Sequence, residues 1–156
     1  DHPWEKVGDF GWNGKVLDLP HVDVNEGPEI LQHGDRTFLV YSASGCWTNY
    51  YELGMVSLRL GADPMNATAW TKSDHPVFWQ NPAGQAYGTG HNGFFESPDG
   101  RQSWIIYHAN PGPNEGCGNQ RSPRIQPFTW NTDGTPDFGR PVPLGQPLAK
   151  PSGTPR

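Results

Sequence analysis

The chain has 156 residues, enough for one core of ordinary size, and its 20 Gly and 17 Pro with only 17% charged residues interrupt the backbone too often for long helices. That composition predicts an all-β fold. The 11 basic and 16 acidic residues give a formal net charge of −5 with no Lys/Arg run, so neither a nucleic acid nor an anionic membrane is expected as a partner, and no apolar run approaches the roughly 18 residues of a membrane helix.

The opening "DHPWEKVG" lacks a Met, a basic n-region and an apolar h-region, so Asp1 is not expected to be the natural start. Strand signals begin with "EGPEILQH" (26–33), where Glu26 stands between Asn25 and a Gly27-Pro28 pair. Gly and Pro do not belong inside a paired strand, which places this carboxylate at the edge of its element. Next come "TFLVYSA" (37–43) beyond the Gly34-Asp35 turn, "YELGMVSLRL" (51–60), and "WTKSDHPVF" (70–78) beyond Ala62-Asp63-Pro64. Between the last two, Asn66-Ala67-Thr68 matches a glycosylation acceptor, a triplet common by chance. The second half offers "HNGFFES" (91–97), "SWIIYHA" (103–109), "RSPRIQPFTW" (121–130) and a Pro-rich last strand around "GRPVPLG" (139–145), with Asp99-Gly100 and Asp133-Gly134 as turns.

These two sets of four echo one another. "EGPEILQHGDRTFLVYSASG" (26–45) and "GHNGFFESPDGRQSWIIYHANPG" (90–112) share a pattern that sets Tyr41 and Tyr107 66 residues apart, and "DHPWE" (1–5) recurs as "DHPVF" (74–78). Four short antiparallel strands per repeat is the unit of a β-propeller blade, and Pro in each fourth strand suits an outer edge. The expected organisation is the end of one blade over 1–15, a blade over 22–80 and a blade over 86–150. Propellers close with roughly four to eight blades, so two blades and a tail form part of a ring. Phe94, Trp104 and Ile105 would expose their apolar faces on the open flanks, and a second chain carrying the N-terminal blades would cover them. The alternative is a β-sandwich of about eight strands that echoes itself.

In a blade the first strand lines the channel, and the loop leading into it shares one face with the loop between the second and third strands. Glu26 and His91 hold matching starts of first strands and should converge near the axis. The stretches "SASGCWTNYY" (42–51) and "HANPGPNEGCGNQR" (108–121) would form the rim. A mouth with a carboxylate, two histidines, an arginine and aromatic rings suits a neutral sugar, with Trp47 and Tyr50 as stacking platforms. The bland reading of those two rings is packing under a long loop. His91 alone reads equally as a buried histidine satisfied by carbonyls. Cys46 and Cys117 are too few for a disulfide scaffold and lack C-x-x-C spacing. Both fall in second-to-third-strand loops of adjacent blades, close enough to bridge, although a reducing cytoplasm would leave two thiols.

The stretches "NEGPEILQHGDRTFLVYSASGCWT", "YGTGHNGFFESPDG", "WIIYHAN" and "RSPRIQPFTWNTDGTPDFG", covering nearly the whole chain from Asn25, resemble glycoside hydrolase family 43. That family consists of five-bladed propellers and includes α-L-arabinofuranosidases and β-xylosidases. "SASGCWT" and "GCG" look most like the arabinofuranosidase branch. The resemblance implies that Glu26, in the E-G-P segment, is the general acid, and that His91, in G-H-N, helps hold a central hydrated Ca²⁺ or other cation. Since Ca²⁺ prefers oxygen ligands, water must fill most of that shell. Arg121 would bind substrate, with Trp47, Tyr50 and His108 beside it.

The family's general base and its second aspartate belong to earlier blades, and Asp9, Asp18 and Asp23 match neither motif. An inverting glycosidase needs both halves, because one carboxylic acid protonates the leaving oxygen while a carboxylate roughly 6.5 to 9.5 Å away activates water. The implied activity is release of terminal α-L-arabinofuranose from arabinan or arabinoxylan oligosaccharides, once the missing blades bring the base. A β-xylosidase, a non-catalytic sugar-binding propeller and an inactive fragment stay open, as does Glu26 as a solvated turn carboxylate. The expected location is secreted or cytoplasmic, with secretion favoured.

Overall fold

The computed structural model describes residues 24–155, which form two four-stranded antiparallel sheets, each a meander in sequence order. The first comprises β1 (Asn25–His33), β2 (Arg36–Ala43), β3 (Glu52–Arg59) and β4 (Thr71–Lys72). The second comprises β5 (Tyr87–Glu96), β6 (Ser103–Asn110), β7 (Ser122–Trp130) and β8 (Pro136–Asp137). Residues 1–15, read as the end of a preceding blade, lie outside the described residues, as do Asp9, Asp18 and Asp23. Among the described residues no helix is long and apolar enough to cross a membrane.

The core lies between the sheets. Phe38, Val40, Leu53 and Met55 of the first meet Ile105, Tyr107, Ala109 and Phe128 of the second. Phe78 closes the layer edge-on to Tyr107, with ring centroids 4.7 Å apart. Strand alternation sends Leu39, Tyr41 and Ala43 to the opposite face, where they pack with Val56 and Trp70. The repeat gives that face a meaning: at the 66-residue offset Leu39, Tyr41 and Ala43 correspond to Ile105, Tyr107 and Ala109, the residues with which the second sheet docks on the first.

Two expectations need correction. The fourth strands are only two residues long. Pro76 has no N–H to give, so beyond the Thr71–Lys72 pairing with Val56 and Ser57 the segment 70–78 keeps to β3 through Ser73, Val77 and Phe78 backbone bonds, and Phe78 still reaches the core. The segment 139–145 is not a strand. With Pro141 and Pro143 lacking donors, Val142 N–H donates to the Tyr107 hydroxyl (3.2 Å) and Gln126 Oε1 (3.0 Å), and Leu144 N–H to the Gly84 carbonyl (2.8 Å).

The apolar flank also differs. Phe94 and Ile105 are cross-strand partners that face inward, so Ile105 is fully buried and Phe94 stacks on Phe138 at 5.6 Å. Trp104 is buried too: its indole N–H donates to Gln102 Oε1, which also accepts from Ser152 N–H of the returning C-terminal segment. The exposed apolar pair of this sheet is Ile106 and Ile125, on the face opposite Ile105.

Glu52, at the start of β3, is 6% exposed, and burial pushes its carboxyl up to about 7 from an ordinary 4.5. A raised folded-state pKa means that the folded protein holds a proton which the unfolded chain releases, so stability falls as pH rises from about 4.5 to about 7. Glu52→Gln should match the parent near pH 4 and exceed it at pH 8 by about 2 to 3 kcal/mol in urea denaturation. A difference that does not change with pH would mean that the carboxyl stays ionised in the fold.

Candidate active site

Backbone irregularity creates the site. The β1–β2 register breaks between Glu26 and Glu29, with Gly27 at φ +55°, so Glu26 departs from the alternation that the rest of β1 obeys. In β5 the register breaks on both sides of Gly90, with Gly88 and His91 each at φ +54°. A left-handed histidine is unfavourable, and its neighbours hold it there: His91 N–H donates to the buried Ser42 hydroxyl at 2.7 Å, and its ring lies against Gly27. A Cβ on Gly27 would stand 3.4 Å from His91 Nδ1, so the two irregular strand starts fit each other.

Tyr51 joins these starts to the rim. Its hydroxyl donates to Glu26 Oε1 at 2.5 Å, while its buried ring stacks on His108 with centroids 5.5 Å apart and planes 9° apart. Gly90 makes room for the ring, since a Cβ there would come within 2.2 Å of Tyr51 Cε1. Burial, then the Glu26 hydrogen bond, raises the Tyr51 hydroxyl well above the ordinary phenol range, so it stays protonated and remains a donor.

His108 lies between Tyr51 and Arg121, with the His91 ring centroid 6.2 Å away. Arg121 Nη1 stands 3.3 Å from His108 Nε2, and a guanidinium only donates, so Nε2 accepts and the proton of the neutral ring is on Nδ1. Burial, then the Arg121 charge, pushes the His108 imidazole down to about 4 and keeps it neutral. Arg121 Nε donates to the Gly118 carbonyl at 3.3 Å, which leaves other guanidinium donors for a ligand.

The two rim loops are tied together. Cys46 and Cys117 form a disulfide with Cα atoms 5.1 Å apart, and Asn49 and Asn114 exchange two hydrogen bonds beside it. Glu26, His91, His108 and Arg121 therefore come together, whereas the proposed platforms turn to other neighbours. Trp47 lies on Gly45, where a Cβ would approach its ring to 2.4 Å. Tyr50 lines a separate shallow groove with Glu52, His75 and Trp79. Tyr51 ends the rim stretch 42–51 in the sequence but has no assigned role there; the structure makes it the link between Glu26 and His108.

Among the described residues no three His, Cys, Asp or Glu side chains converge on a point that could hold a metal ion. His91 by itself does not build a cation site, and a central cation would have to draw its ligands from water and from other segments.

Residues 7–136 match the family model described as glycosyl hydrolases family 43. The chain is 46% identical over 144 residues to the extracellular exo-α-(1→5)-L-arabinofuranosidase of Streptomyces avermitilis, covering 89% of this chain and 27% of that protein. With α-L-arabinofuranosidase 43 of Humicola insolens it shares 39% identity over 150 residues, covering 93% of this chain and 28% of the relative. It thus spans about a quarter of the length of these relatives. Among solved structures, an α-L-arabinofuranosidase from Lactobacillus brevis superposes with a TM-score of 0.74 at 38% identity, covering 89% of this chain and 42% of that one.

Proposed function

The chain belongs to glycosyl hydrolase family 43, and from that premise we propose that it supplies the general-acid half of an inverting exo-acting α-L-arabinofuranosidase built as a five-bladed propeller. The observation that carries this reading is the Glu26 carboxyl, exposed at an irregular strand start and gripped by Tyr51 beside neutral His108 and the guanidinium of Arg121. A carboxyl held in place by a hydrogen-bond donor is positioned to reach a glycosidic oxygen, and Arg121 suits the sugar hydroxyls. The substrate is a terminal arabinofuranose on arabinan or arabinoxylan oligosaccharides, in line with the names of the arabinofuranosidases it resembles. Secretion is favoured on the same ground, since one relative is named extracellular.

The base belongs to blades that 24–155 does not supply. Those blades would dock on the flank of Ile106 and Ile125, which are exposed at 40% and 38%. A hydrated cation beside His91 would complete the channel only with ligands from those blades.

The test measures arabinose release, mass and product configuration together. Residues 1–156 alone should release no arabinose, and the enzyme with the N-terminal blades restored should release it with inverted anomeric configuration by proton NMR. A fully active 17.3 kDa monomer would place the base within this chain and overturn the reading.

A further inference from the structure

We infer that Tyr51 is the positioning residue of the acid: it holds Glu26 Oε1 and thereby assigns the transferable proton to Oε2. This rests on the acid role proposed for Glu26. The hydroxyl of Tyr51 has one proton, and at 2.5 Å that proton is given to Oε1. A protonated Glu26 then has its own proton on Oε2, the oxygen free to face a glycosidic bond. When that proton moves to the leaving oxygen, the glycosidic C–O bond breaks with its electron pair on the leaving oxygen, water activated by the base of the missing blades bonds to the anomeric carbon, and Glu26 becomes a carboxylate. A hydrogen bond to an ionised acceptor is stronger than one to a neutral acceptor, so the Tyr51 bond strengthens as the charge forms.

The geometry that fixes Tyr51 comes from both sheets. Its ring is clamped between Gly90, where no Cβ fits, and the His108 imidazole stacked at 5.5 Å, both from the second sheet. Glu26 lies in β1 and Tyr51 immediately before β3, both on the first sheet's side, so the acid is aimed by the packing of one sheet on the other. The other charged or titratable groups of the cluster are His91, His108 and Arg121, and none of them makes a hydrogen bond to Glu26 comparable to that of Tyr51.

Tyr51→Phe keeps the ring and its stack and removes only the hydroxyl. In the assembled enzyme, turnover on arabinosides with alkyl leaving groups should fall about 10- to 100-fold at nearly constant KM, while activated aryl arabinosides lose less than about 3-fold. The alkaline limb of the pH–rate profile should move up, because losing a donor disfavours the charged carboxylate. Site-specific 3-fluorotyrosine at 51, a stronger donor of almost the same shape, should move that limb down and gives a readout even if the Phe variant folds poorly. Equal losses on both substrates, or a limb that moves with neither replacement, would overturn the inference. Glu26→Gln run in parallel separates the two ideas. If it is inactive on alkyl arabinosides beside an unchanged Tyr51→Phe, the positioning role fails alone, and if it is fully active, the acid reading fails and this inference with it.

Discussion

Glu26→Gln in the assembled enzyme should lose about 10²- to 10⁴-fold in turnover on arabinosides with poor leaving groups, the range that a positioned general acid supplies. An amide of the same shape still accepts the Tyr51 hydrogen bond on its oxygen, so the clamp of Tyr51 between Gly90 and His108 survives the change. What disappears is the proton. Leaving groups that depart without protonation should therefore be spared: activated aryl arabinosides should retain most of their rate, with KM within about twofold on both substrates. The leaving-group dependence carries the test, because a collapsed site would slow every substrate alike. Equal loss on alkyl and aryl arabinosides would point to structural damage, and undiminished activity would remove Glu26 from the chemistry.

Much of this arrangement is legible in the sequence, for physical reasons. Gly27 and Pro28 are incompatible with a regular ladder, so the break beside Glu26 announced itself in the sequence, and the 66-residue echo of Tyr41 and Tyr107 identified equivalent faces of two sheets. Parity was harder to read. Ile105 and Ile106 are both apolar, and only the register that pairs Phe94 with Ile105 and Ile106 with Ile125 decides which is buried. A slip of one residue exchanges core for surface. Tyr50 and Tyr51 present the same difficulty. Both are rim tyrosines in the sequence, and the choice between them depends on Gly90 and His108, far along the chain, which leave a slot for only one ring. The Pro-rich 139–145 looked like an edge strand because Pro is tolerated there, yet the donors of Val142 and Leu144 are spent on Tyr107, Gln126 and Gly84.

Replacing Cys46 and Cys117 together by Ser should cost about 4 kcal/mol of stability, or roughly a thousandfold in the ratio of folded to unfolded protein, on chain-entropy grounds. The bridge closes 71 residues of chain, a loop whose freedom in the unfolded state is large, and it joins two loops belonging to different sheets. The inter-sheet core of Phe38, Leu53, Phe78, Ile105 and Tyr107 does not depend on the bridge. The variant should therefore fold, with a lower denaturation midpoint. The local consequence follows from position: Tyr51 lies five residues beyond Cys46 and Arg121 four beyond Cys117, so the bridge also limits how far the two sides of the acid's environment can separate. Urea denaturation of the parent, the reduced parent and the double variant measures the first effect. The latter two should coincide, because both release the same loop. A loss below about 1 kcal/mol would mean that contacts such as the Asn49–Asn114 pair already hold the loops together in the unfolded ensemble, leaving the covalent tie little entropy to remove.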